Sequence, residues 1–180
     1  MQEYLFIIYL AAPAFLANML PVIGAKLNWL NSLGWPLDGN REFRGKPFLG
    51  KNKTFRGFVL AALGGMLIGL VQFWLDQLGI LRIDFLDSFF SFLAFGFLGG
   101  LGAIVGDAFK SFFKRQMGIK SGRPFFPFDQ IDYILGFLVF TWPFISWTIN
   151  EIIFLLVFVM VLNPVVNTSA YFLRIKKTYW

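Results

Sequence analysis

Five stretches without one charged side chain divide the 180-residue chain, and their lengths leave it little choice of solvent. They cover residues 4–23, 57–75, 89–105, 133–149 and 152–173. A helix needs about 20 apolar residues to cross roughly 30 Å of hydrocarbon, and in lipid every backbone N–H and C=O must find its partner within the protein. The pattern predicts an all-α integral membrane protein of five transmembrane helices, folded as a single domain over residues 1–180. Hydrophobic residues make up 57% and charged residues 14%, which excludes a soluble globular chain. Only Met1, Gln2 and Glu3 precede the first stretch, and Pro13, Asn18 and Pro21 interrupt it, so it reads as a span and not as a cleavable signal peptide.

Charge sets an expected orientation. Lys26, Arg41, Arg44, Lys46, Lys51, Lys53 and Arg56 lie between the first two spans against only Asp38 and Glu42. Lys110, Lys114, Arg115, Lys120 and Arg123 lie between the third and fourth, and Arg174, Lys176 and Lys177 follow the fifth. The other side carries only Glu3, Asp76, Arg82, Asp84, Asp87 and Glu151. An outside amino terminus, two polar cytoplasmic loops (about 24–56 and 106–132) and a cytoplasmic carboxyl terminus satisfy every loop. The net charge of +6 is therefore mostly topology and implies no nucleic-acid partner.

Cysteine and histidine are both absent. That removes disulfides, thiol nucleophiles, imidazole metal sites and histidine relays. Metal-assisted phosphoryl transfer loses least, because metals and cations stabilise charge without shuttling protons. Gly65, Gly69, Gly96, Gly100 and Gly102 are spaced for close helix packing, whereas Gly106 belongs with the polar residue after it. Pro143 and Pro164 are expected to kink or open the last two helices. The second loop should begin as a continuation of the third helix and break near Ser121-Gly122-Arg123-Pro124, with Phe125, Phe126 and Phe128 forming an apolar lip.

The residues able to do chemistry sit at one edge of the bilayer. Asp107, Lys110, Ser111 and Lys114 fall within roughly a third of a helix circumference, with Arg115 at the flank. Alone they would equally suit a solvated helical turn with internal ion pairs. Asp129 and Asp132 stand at the other end of the same loop, where simple amino-terminal capping is the plainer alternative. Antiparallel neighbouring helices bring all three aspartates to one depth, a plausible Mg²⁺ site when completed by phosphate oxygens and water. Residues 45–52 nearly match the phosphate-loop pattern G-x-x-x-x-G-K-S/T, but Asn52 replaces the hydroxyl and no strand precedes it. Lys53 and Arg56 instead flank the start of the second helix, near Thr54, where unpaired N–H groups and the helix dipole favour a triphosphate. A positive-inside anchor explains several of those cations equally well.

Taken in order, four segments resemble the archaeal CDP-archaeol synthases, small membrane cytidylyltransferases distantly related to the CDP-diacylglycerol synthases. They are Ala17-Asn18-Met19-Leu20-Pro21, Pro36-Leu37-Asp38-Gly39, Leu49 through Gly57, and Gly106-Asp107…Ser111…Lys114-Arg115…Asp129-Gln130-Ile131-Asp132. The chain departs from the larger enzymes in lacking histidine, in Gln130 where they place arginine, and in lacking an acid after Lys120.

The resemblance implies transfer of a cytidylyl group from CTP to a polyprenyl ether-lipid phosphate, 2,3-di-O-geranylgeranylglycerol 1-phosphate, with release of pyrophosphate. It assigns Asp107, Asp129 and Asp132 to Mg²⁺ and, with Lys114, to catalysis. Lys46, Asn52, Lys53, Thr54, Arg56, Ser111 and Arg115 would bind nucleotide. Two alternatives fit less well. A CDP-alcohol phosphotransferase lacks its aspartate repeat here, since Asn40-Arg41 follow Asp38-Gly39. A small transporter would carry ionisable residues at mid-membrane.

Overall fold

The computed structural model describes residues 2–174, so Lys176 and Lys177, read above as orientation determinants, lie outside it. Among the described residues there are six α-helices. They are α1 (Gln2–Leu10), α2 (Ala12–Lys26), α3 (Phe55–Gln77), α4 (Phe89–Gln116), α5 (Phe128–Thr141) and α6 (Ile149–Phe172). A hairpin of β1 (Glu42–Phe43) and β2 (Lys46–Pro47) and a single 3-10 turn (Asn31–Leu33) ornament the first polar loop.

The first apolar stretch is not one helix. α1 and α2 meet at Ala11 with a 44° bend. Pro13 is the cause: near the start of α2 its missing N–H costs nothing, but it could not continue α1. Its absent donor leaves the Tyr9 carbonyl exposed in the helix interior, and the side chain of Gln72 on α3 donates to that oxygen at 2.8 Å. This accounts for a fully buried glutamine in the middle of an apolar span.

α3, α4 and α6 are each long and apolar enough to cross a membrane, and the bent α1–α2 pair makes a fourth such unit. The expected helix over 133–149 is corrected. α5 starts five residues earlier and stops at Thr141, so its 14 residues span about 21 Å. Trp142 still holds helical backbone, and Pro143 ends the helix because it has no N–H to donate and its ring crowds the carbonyl four residues back. Residues 142–148 then fold back onto the core, where Trp147 donates its indole N–H to Thr141 Oγ1 at 3.1 Å. Helix starts follow their caps. Ser88 with Ser91 and Thr148 with Glu151 form capping boxes, and Thr54 Oγ1 accepts from the Gly57 N–H.

Side-chain-free surfaces join the three central helices. A Cβ at Gly65 would fall on the Gly96 carbonyl oxygen, and one at Gly69 on that of Phe92. Gly102 meets the Gly136 carbonyl in the same way, and Gly106 meets that of Asp132. Gly106 is therefore a packing glycine like the others. α4 thus lies in backbone contact with α3 on one side and α5 on the other. Phe92, Phe95 and Phe137 fill the space beside this seam. On the outer face of α6, Ile153, Val157, Val161 and Val165 form an exposed stripe with a four-residue repeat, as a lipid-facing helix requires.

Candidate active site

Consecutive antiparallel helices bring the start of α3, the end of α4 and the start of α5 to one end of the bundle. α3 begins at a tethered point, because Leu37 N–H donates to the Lys53 carbonyl at 2.8 Å and Phe55 N–H to that of Trp35 at 3.1 Å. Lys53 is thereby held beside α4 and its ammonium pairs with Asp107. α4 terminates after Gln116, earlier than the break expected at Ser121. Gly118 adopts φ +78°, Ile119 N–H returns to the Lys114 carbonyl at 2.9 Å and Gly118 N–H to that of Arg115 at 2.9 Å. That paired closure needs a left-handed residue just past the helix, which Gly118 supplies.

The chain now doubles back into α5 and places two further aspartates against α4. Lys110 Nζ lies 3.1 Å from Asp107 Oδ1, 2.9 Å from Asp129 Oδ1 and 2.8 Å from Asp132 Oδ2. Lys114 Nζ holds Asp129 Oδ2 at 3.0 Å, and that oxygen also accepts the Phe125 N–H. Asp132 Oδ1 accepts its neighbour's Tyr133 N–H at 2.8 Å. Neither aspartate is the amino-terminal cap of α5, since Pro127 occupies that position. Three carboxylates and three ammonium groups thus form one mostly buried network, with Asp132 and Lys114 the least exposed. At that depth charges attract strongly but are also costly to leave unpaired.

Asp38 orders the first polar loop. Its Oδ2 accepts the N–H groups of Leu49 at 2.8 Å and Gly50 at 3.0 Å, and its Oδ1 that of Asn40 at 3.0 Å. Burial pushes the carboxyl upward, but these backbone donors outweigh it and hold Asp38 below the usual carboxylate range. Between Asn40 and Leu49 the chain makes a tight hairpin. Arg44 (φ +53°) and Gly45 (φ +71°) form the left-handed two-residue turn that suits strand twist. The second loop is tied to the first by Asn52, whose amide donates to Ser121 Oγ at 3.0 Å.

A cavity of about 1270 Å³ opens beside the network. Asp107, Lys110, Lys114, Asp129 and Asp132 line one wall, and Lys51, Asn52, Lys53, Thr54 and Arg56 another. The cavity continues between α2 and α6 along Phe15, Asn18, Met19, Leu162 and Asn163. Phe126 reaches its wall, and Phe125 stacks on Phe128 at 4.9 Å behind it. Three of the expected nucleotide ligands lie off the wall. Lys46 donates to the Gln116 carbonyl and faces a smaller pocket with Phe43 and Phe112. Ser111 is buried, and Arg115 donates to the Ile119 carbonyl beside Gly50. Arg123 and Arg174 do line the cavity, a placement their sequence neighbourhoods did not indicate. Lys110 was legible as sharing a face with Asp107, but its meeting with Asp129 and Asp132 depends on the α4–α5 approach.

The donor chemistry fits a hard divalent cation: carboxylate oxygens from two helices point at one locus, with room for phosphate and water beside it. Among the described residues, however, no three acidic side chains form a ready metal cage. The locus they share is taken by the Lys110 ammonium.

The chain is similar to known proteins over nearly its whole length. The family model described as CarS-like CDP-archaeol synthase matches residues 1–180. CDP-archaeol synthase of Thermococcus kodakarensis is 34% identical over 169 residues, covering 93% of this chain and 91% of that protein. CDP-archaeol synthase of Methanosarcina mazei is 33% identical over 180 residues, covering 93% and 99%. A solved structure described as an intramembrane enzyme for archaeal membrane lipids biosynthesis superposes with a TM-score of 0.71 at 27% identity, covering 89% of this chain and 91% of that one. A chain matched from end to end, with its aspartates and lysines gathered at one end of the bundle, belongs to the CDP-archaeol synthase family.

Proposed function

We propose that this chain transfers the cytidylyl group of CTP to an archaeal ether-lipid phosphate, giving CDP-archaeol and pyrophosphate in membrane phospholipid biosynthesis. The observation that carries this reading is one cavity bounded by the aspartate–lysine network at one end and by apolar helix surface at the other. A nucleotide triphosphate suits the first and a prenylated lipid the second.

An oxygen of the lipid phosphate attacks the α-phosphorus of CTP. The new P–O bond forms as the bond to the β-phosphate oxygen breaks, and pyrophosphate leaves with the electron pair. A phosphate monoester, with a second pKa near ~6, is already largely ionised at neutral pH, so no general base is needed. The absence of histidine is then no handicap. The protein must instead bring two polyanions together and hold them in line. Lys53 and Arg56, beside the first turn of α3, bind the β- and γ-phosphates, with Asn52 and Thr54 on the same wall. Lys114 orients the reacting phosphates. Ser111, Lys46 and Arg115 act through the helix face and loops that present these groups, consistent with their positions off the wall. Asp107, Asp129 and Asp132 would hold Mg²⁺, which supplies charge neutralisation at phosphate oxygens. The prenyl chains lie between α2 and α6.

In this reading the chain is one membrane domain crossing five times. The short α5 makes the fourth crossing, with residues 142–148 packed back against its end. The amino terminus lies outside, and both polar loops, the carboxyl terminus and the cavity mouth face the cytoplasm, following the excess of lysine and arginine. The test is release of pyrophosphate from CTP by purified protein, given Mg²⁺ and the ether-lipid phosphate. Release that requires both substrates is expected. No release with both present would sink the assignment.

A further inference from the structure

We propose that Lys110 is a tethered counter-ion standing where a divalent cation would bind, so that metal joins the three aspartates by exchange and not by addition. This rests on the reading of Asp107, Asp129 and Asp132 as metal ligands and goes beyond it.

Three contacts define the position. The ammonium reaches one oxygen of each aspartate within 3.1 Å, and its side chain is only 14% exposed. An ammonium has three N–H donors and no acceptor, so three carboxylates use its full capacity. The formal charges also balance: Lys53, Lys110 and Lys114 match Asp107, Asp129 and Asp132. The formal charges of the six side chains therefore cancel among themselves. This pairing lets three acids share so buried a position.

An incoming Mg²⁺ draws oxygens to about 2.0–2.1 Å, which leaves no space for an ammonium at the same point. Lys110 must withdraw as the ion arrives. Its four-carbon stem allows this, and Lys110 already lines the cavity, so the displaced charge moves into the space where substrate phosphates lie. Two consequences follow. Without nucleotide, the ion has to displace a paired cation and binds weakly. With a triphosphate present, Lys110 gains a new partner, and metal and nucleotide each strengthen the other's binding.

The experiment measures Mn²⁺ binding by the electron paramagnetic resonance of the free ion, using the full chain in detergent. Wild type, Lys110→Met and Lys110→Arg are compared with and without a non-hydrolysable CTP analogue. The expected result without nucleotide is at least a ~10-fold tighter Mn²⁺ affinity in Lys110→Met, with Lys110→Arg no tighter than wild type. The analogue should tighten Mn²⁺ binding in wild type, and by a smaller factor in Lys110→Met. Thermal unfolding gives a second readout. Lys110→Met should melt below wild type in EDTA and recover with Mn²⁺, through a larger metal-induced rise than wild type shows. Unchanged or weaker Mn²⁺ binding in Lys110→Met overturns the exchange while leaving the aspartates as ligands. Failure of any protein to bind Mn²⁺, with or without the analogue, removes both readings.

Discussion

Asp38 carries more of the site than its distance from the chemistry suggests, because it anchors the residues leading directly into Lys51, Asn52 and Lys53. Its carboxyl is depressed when folded, so its contribution is complete above the unfolded value of about 3.9 and fades as pH falls through the folded one. Asp38→Asn is expected to open the Leu49–Gly50 segment about tenfold more often, read as faster amide exchange there. The acid-induced opening of that segment below about pH 4 should disappear in the variant. Asp107 is different: its partners are Lys53 and Lys110, so losing its charge unbalances the network and leaves the fold's apolar seam intact. Asp107→Asn should lower pyrophosphate release by at least ~100-fold and also lower the melting temperature, because it leaves mostly buried lysines short of a partner. Asp107, Asp129, Asp132 and Lys114 could be picked out from spacing and charge. The contact of Arg115 with the Ile119 carbonyl could not, because it depends on where Gly118 turns the chain.

At the scale of elements, the site is an outcome of how closely α4 and α5 approach. Gly106 and Gly136 allow it, and each meets backbone of the opposite helix. Gly106→Ala should push α5 away and move Asp132 out of reach of Lys110. Overpacking of this kind costs about 1–3 kcal/mol, measurable as a lower melting temperature in detergent, and turnover should fall further than stability alone explains. Glycine spacing announced the α3–α4 seam from the sequence, since four-residue intervals are an interface signal in lipid, but Gly106 reads there as a partner of Asp107 and the α4–α5 approach was not legible. The starts of α3 and α4 were legible for a similar reason, since Thr54 and Ser88 are good caps. The bend at Ala11 and the short α5 were less so. Hydropathy measures how apolar a segment is and says little about whether a proline divides it or ends it early.

The whole molecule offers an unusually clean test of orientation, because the sequence contains no cysteine. In intact cells, Asp84→Cys should react with a membrane-impermeant maleimide, whereas Lys51→Cys should react only after permeabilisation. The reverse pattern would invert the proposed topology. Lys51 lines the cavity and Asp84 lies in the link between α3 and α4 at the other end of the bundle, so the pair reports on both faces. That the chain is helical and crosses more than once was visible in composition, since long uncharged stretches alternate with charged loops. The lateral extent of the cavity was not, because α2 and α6 are far apart in sequence and meet it only in three dimensions.

Backbone-to-backbone seams have a price in adaptability. With no side chain between α3, α4 and α5 at the glycines, there is nothing to compress or rotate when the surrounding bilayer thins or thickens. Any accommodation falls to the periphery, where α1 already departs from the axis of α2 and α6 packs mainly on α5 and α1. The aspartate–lysine network is mounted on the unyielding slab, so a cell that changes its lipid composition would flex the margins of this protein before disturbing that network.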